Sequence, residues 1–63
     1  MDLGFDIFRT QDDGTPLWIK QVATLDDGKK HLETLISASP AEYFIRDAST
    51  GQIVFRSGTI RRT

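Results

Sequence analysis

The chain has no cysteine and one histidine, His31. The first absence removes disulfides and thiolate metal sites together. The second leaves a zinc site dependent on several carboxylates converging on one imidazole, so no metal or other cofactor is expected. Apolar runs longer than three or four residues are also missing, which argues against a membrane-spanning helix. The opening MDLGFDIF lacks the basic flank and long apolar core of a signal peptide. There is no basic excess either, since eight Lys and Arg stand against nine Asp and Glu for a formal net charge of −1. That is poor footing for nucleic acid or an anionic membrane. A cytoplasmic, bacterial-type protein fits this set of absences.

Catalytic signatures are equally scarce. No G-x-S-x-G elbow and no phosphate-cradling glycine pattern occurs. The carboxylate pairs Asp12–Asp13 and Asp26–Asp27 are adjacent in sequence, which points their side chains apart and not across a cleft. A chain of 63 residues also struggles to enclose a pocket of several hundred cubic ångströms. The expectation is a non-enzymatic domain.

What is present begins with a repeated tripeptide, Asp-Asp-Gly at 12–14 and again at 26–28. A calcium loop needs oxygen ligands at alternate positions before its glycine and a glutamate six after it. Arg9 and Lys20 occupy such positions around Gly14, and Leu25, Ala23 and Thr34 around Gly28, so neither stretch qualifies. Both read as punctuation: a hairpin turn first, a helix start second.

The hydrophobic pattern supplies the elements. FDIFRT (5–10) alternates with period two and reads as a strand; QDDGTP turns; LWIKQVA (17–23) is a second strand. Thr24 and Asp27 form a capping-box-like pair, and Leu25, Leu32, Leu35 and Ile36 lie on one stripe of a helix spanning about Leu25 to Ser37, ended by Pro40. Gly28 falls within that helix and is expected to let it approach the sheet closely. EYFIRD, the loop ASTG and QIVFR then form a second hairpin, and residues 57–63 read as a frayed tail. The fold class expected is α+β: one domain, 1–63, with a four-stranded mainly antiparallel sheet, one helix across it, order ββαββ, and strand order open. If the strands flanking the helix are parallel in one sheet, their crossover should be right-handed.

Alternation assigns faces. Phe5, Ile7, Leu17, Ile19, Tyr43, Ile45, Ile53 and Phe55 should meet the helix and form the core. Asp6, Phe8, Trp18, Lys20, Val22, Glu42, Phe44, Arg46, Val54 and Arg56 should line the opposite face. That second face is not the polar surface of a sheet exposed to water on one side. Three readings compete for it. A bulge can turn Trp18 or Phe44 back into the core. The face can be a protein interface, most simply a homodimer, which supplies the stability a chain burying only about 60% of its unfolded surface lacks. Or Phe8, Trp18 and Phe44, flanked by Lys20, Arg46 and Arg56, can stack single-stranded nucleic acid. The interface reading is preferred, with Phe8, Trp18, Lys20, Phe44, Arg46, Val54 and Arg56 as its residues and weak single-stranded nucleic-acid binding as the alternative.

From Asp13–Gly14 through Trp18, Leu25–Gly28 and Glu42–Val54, the chain resembles small uncharacterised bacterial proteins of the ββαββ type. These run from a D-G turn into a Trp-bearing strand, a "dLeeA" helix start and "eYfv.D..tG.iv". Gly28 stands where that pattern has alanine. The resemblance covers about two thirds of the chain and implies a fold but no activity. A sheet with one helix is also remotely similar to the DNA-reading arm domains of recombinases, whose basic strand residues are poorly represented here.

Overall fold

The computed structural model describes residues 3–57. Four strands, β1 (Phe5–Thr10), β2 (Pro16–Val22), β3 (Glu42–Asp47) and β4 (Ile53–Ser57), and one helix, α1 (Leu25–Ala38), follow in the order ββαββ. The strands form one antiparallel sheet ordered β2-β1-β3-β4. Because β2 and β3 are each antiparallel to β1, they run parallel to one another, and α1 carries the chain across β1 between them. Of the tail expected to fray, Ser57 belongs to β4; residues 58–63 lie outside the described part.

Local chemistry accounts for each boundary. In the β1–β2 hairpin Gly14 donates its N–H to Gln11 O (2.8 Å) and Gln11 donates to Thr15 O (2.9 Å). Asp13 Oδ1 accepts from both the amide (3.0 Å) and the hydroxyl (2.6 Å) of Thr15. Those two hydrogen bonds, the hydroxyl first, hold the Asp13 carboxyl below the usual aspartate value. A depressed value in the folded state means the turn gains from this group above about pH 4 and loses that gain as the pH falls further. The second hairpin repeats the device, with Asp47 Oδ1 accepting from the Ser49 amide at 2.8 Å and Gly51 donating to Asp47 O at 2.7 Å.

Helix α1 starts where the capping pattern places it. Thr24 is extended (φ −131°, ψ 159°), and its hydroxyl accepts from the Asp27 amide at 3.1 Å, which satisfies one of the otherwise orphaned donors of the first turn. Asp26 and Asp27 sit at the positive end of the helix dipole. At the other end Ser39 precedes Pro40 and is held extended (φ −148°, ψ 90°), as a pre-proline residue must be. Its N–H still closes the last turn onto Leu35 O at 2.7 Å.

The core lies between α1 and the β1–β3 centre of the sheet. Ile7, Leu32, Tyr43, Ile45 and Val22 are buried, with Phe5, Ile19, Leu25, Leu35, Ile36, Ala41 and Phe55 packed around them. Tyr43 keeps its hydroxyl satisfied by donating to Ser39 O at 2.7 Å, tying β3 to the end of the helix. From α1, Lys29 lies over the Phe55 ring, 5.0 Å from its centroid, and so extends the helix's cover to β4.

Two bulges revise the face assignment. Between β1 and β2 the register runs Phe5↔Val22, Asp6↔Gln21, Ile7↔Lys20 and then jumps to Phe8↔Trp18, leaving Ile19 as an extra residue on β2. Between β3 and β4, Ile45 faces Phe55 but Arg46 faces Ile53, leaving Val54 extra on β4. An inserted residue inverts the inside–outside phase of everything beyond it. Lys20 and Val22, expected on the open face, therefore lie on the helix side, where Val22 is 9% exposed and the Lys20 ammonium donates to His31 Nε2 at 3.2 Å. Ile53, expected in the core, is paired with Arg46 and 42% exposed. Leu17, also expected in the core, is 44% exposed at the margin of the sheet, facing Arg9 near the start of β2.

Gly28 is buried against the sheet. A Cβ there would stand 2.9 Å from Ile45 Cδ1 and 3.4 Å from Val22 Cγ2, so the glycine is what allows the helix to touch β3. Gly4, at φ +76°, would drive a Cβ into the carbonyl oxygen of Val22. Gly28→Ala is expected to lose most or all of the roughly 1 kcal/mol that alanine brings in helix propensity, because the buried Ile45 Cδ1 must shift to admit the new methyl. Ile45→Val, which removes the clashing methyl, should reverse part of that loss in a double-mutant cycle read by urea denaturation. Gly4→Ala should cost at least about 1–2 kcal/mol, the penalty of a left-handed conformation alone.

Candidate functional site

The face of the sheet away from α1 is organised in cross-strand rows. One row crosses all four strands: Trp18 on β2, Phe8 on β1, Phe44 on β3 and Arg56 on β4. The next is Gln21, Asp6, Arg46 and Ile53, and a third holds Pro16, Thr10 and Glu42. Directly opposed side chains in antiparallel strands are near neighbours, so alternation within each strand combined with register brings residues distant in sequence into one patch.

The centre of the patch is aromatic. Phe8 and Phe44 stack with ring centroids 5.0 Å apart and planes within 9° of parallel. Arg46 lays its guanidinium over the Phe8 ring at 4.9 Å, and Nη2 reaches Asp6 Oδ2 at 3.4 Å. From the other side Trp18 Nε1 donates to Asp6 Oδ1 at 3.3 Å. Asp6 is thus the node that orients both the indole and the guanidinium. Both distances are long, so each contact is weak and the pair positions more than it stabilises. Arg46 Nε is buried and has no hydrogen-bond partner among the described residues.

Exposure grades outward from that node. Asp6, Phe8 and Phe44 are half-buried, whereas Trp18 is 56% exposed, and Ile53 and Val54 are 42% and 41% exposed. Of the residues assigned to this face from the sequence, Phe8, Trp18, Phe44, Arg46, Val54 and Arg56 are brought together on it or at its β4 edge. Lys20 is not, for the reason given by the β2 bulge. Gln21 and Ile53 belong to the face and were not expected there. Asp6 was placed on it by alternation, but its bridging role depends on Trp18 and Arg46 arriving from two other strands, which no local pattern signals.

Among the described residues no group of three or more His, Cys, Asp or Glu converges, and no helix is long and apolar enough to cross a membrane. An open depression of about 500 Å³ at the β1 entry is lined by Leu3, Gly4, Gln21, Val22, Ala23 and Thr24, with no ionisable side chain to perform proton transfer.

Comparison with protein-family models, with curated proteins and with solved structures finds no match to this chain. The face must therefore be read from its own geometry and charge.

The node is testable through the single tryptophan of the chain. Asp6→Ala should release Trp18 and Arg46, shift the tryptophan emission, and lower stability by no more than about 1 kcal/mol, since weak polar contacts at a partly exposed site contribute no more.

Proposed function

We propose that this domain is a small non-catalytic interaction module that self-associates through the open face of its sheet. The observation that carries the reading is the Trp18–Phe8–Phe44 row, an aromatic strip on the side of the sheet that the only helix among the described residues leaves uncovered. Aromatic and arginine side chains are the residues that anchor protein interfaces, and here Phe8 and Phe44 are ordered by their stack while Asp6 orients Trp18 and Arg46 through weaker contacts. Part of the side-chain ordering that association requires is then already made.

Charge on the face favours a second copy of the same chain. Asp6 and Glu42 stand against Arg46 and Arg56, so the patch carries both signs in equal number and complements itself under a twofold axis. Area sets the strength. Strands spaced about 4.8 Å apart and rising about 3.3 Å per residue give a four-stranded, six-residue face a projected area on the order of 400 Å². Two such faces with their side chains bury on the order of 1,000 Å², the lower limit for specific association. The expected dimer is weak and concentration-dependent, with dissociation constants in the micromolar range or above.

Single-stranded nucleic acid is the poorer occupant. Arg46 already covers the Phe8 ring on which a base would stack, its charge is paired with Asp6, and Lys20 points to the other side. Arg56 is left as the one cation of the three expected on this face that has no such engagement among the described residues, too little for a phosphate track.

Light scattering across a concentration series should show the mass rising from monomer toward dimer. Trp18→Ser, a change at a largely exposed side chain that leaves the monomer folded by circular dichroism, should weaken the dimer about tenfold or more. Titration with labelled single-stranded DNA or RNA at two salt concentrations should show no binding. A strictly monomeric protein with salt-sensitive binding would reverse the assignment in favour of the nucleic-acid reading.

A further inference from the structure

The two bulges are placed alike with respect to the sheet. Each inserts its extra residue, Ile19 or Val54, into an edge strand, β2 or β4, while the central β1–β3 ladder runs through six pairs without interruption. Edge strands carry unpaired N–H and C=O groups that invite another chain to add on, and proteins blunt them with bulges, prolines, short strands and charges pointing inward. Strand β2 has three of these devices: Pro16 at its start, the bulge at Ile19, and Lys20 turned toward the helix layer. Strand β4 is bulged at Val54.

Resting on the self-association proposed above, we infer that two copies meet face to face and not edge to edge, forming a four-layered helix–sheet–sheet–helix sandwich around paired Trp18–Phe8–Phe44 strips. The same bulges that spoil the edges also furnish the face. The phase inversion at Val54 puts Ile53 onto the open side beside Arg46, so the aromatic strip gains an aliphatic flank, while the inversion at Ile19 removes the Lys20 ammonium from that side. The first change adds an aliphatic side chain to the face, the second exchanges Lys20 and Val22 for Gln21 and so removes a charge, and both make the edges less regular. Glu42 on β3 and Arg56 on β4 stand in adjacent rows at one corner of the face, and Asp6 and Arg46 stand in the row beyond the strip, so each copy offers both signs to its partner.

The absence of cysteine makes the geometry directly measurable. Ser37→Cys at an exposed position on α1, labelled with a nitroxide, gives one spin per copy for pulsed dipolar distance measurement. Sheets packed about 10 Å apart, each backed by a helix about 10 Å across, put the outward sides of the two helices about 40 Å apart. Antiparallel pairing of edges instead makes one continuous sheet with both helices on the same side, about 15–25 Å apart at about 4.8 Å per strand. A concentration-dependent dimer with distances near 40 Å is the expected result. A dimer with distances of about 25 Å or less overturns the face-to-face arrangement and leaves self-association standing; a monomeric mass at every concentration overturns both.

Discussion

One helix can shield one face of a four-stranded sheet, and in this chain the sheet is apolar on two. The central strands feel that constraint most. On one side Ile7, Tyr43 and Ile45 are sealed beneath Leu32 and Val22; on the other Phe8 and Phe44 stack in the half-open. Burial on the first side is made tight by Gly28, whose missing side chain leaves room for Ile45 and lets the helix descend. A core assembled from so few residues has little reserve, which is why contacts as small as a single methyl bear on the whole fold.

The uncovered side is not simply a remainder. Its aromatic rings are fixed by a stack, by a guanidinium laid over one of them, and by a carboxylate that holds the indole and the guanidinium together. Ordering side chains in advance removes part of the entropic cost of forming an interface. A surface meant only to meet water gains nothing from such ordering, and it is commonly polar at alternate positions. The balance of two acids and two arginines on the same face fits a partner with the same pattern better than it fits a polyanion.

Edge and face are coupled through the bulges. An extra residue in β2 and another in β4 disturb the backbone where foreign strands would pair and, by the same stroke, change which side chains look outward. Lys20 leaves the open face to meet His31, and Ile53 joins it. In the proposed dimer, the preference for face over edge and the composition of the paired surface both arise from one backbone feature.

The amino-acid sequence by itself determined the element order, because period-two alternation, the Thr24 cap, the Pro40 stop and the turn chemistry of Asp13 and Asp47 act within a few residues of where they stand. It also placed Phe8, Trp18 and Phe44 on a common uncovered side, since those positions lie where strand phase is undisturbed relative to β1 and β3. Only the tertiary structure decided that β1 and β3 occupy the centre, that Lys20, Val22 and Ile53 lie opposite to their alternation, and that Asp6 joins Trp18 to Arg46. Those facts depend on pairing register between strands as much as 40 positions apart, and a one-residue bulge leaves no mark on local hydrophobic period while it inverts every side chain beyond it.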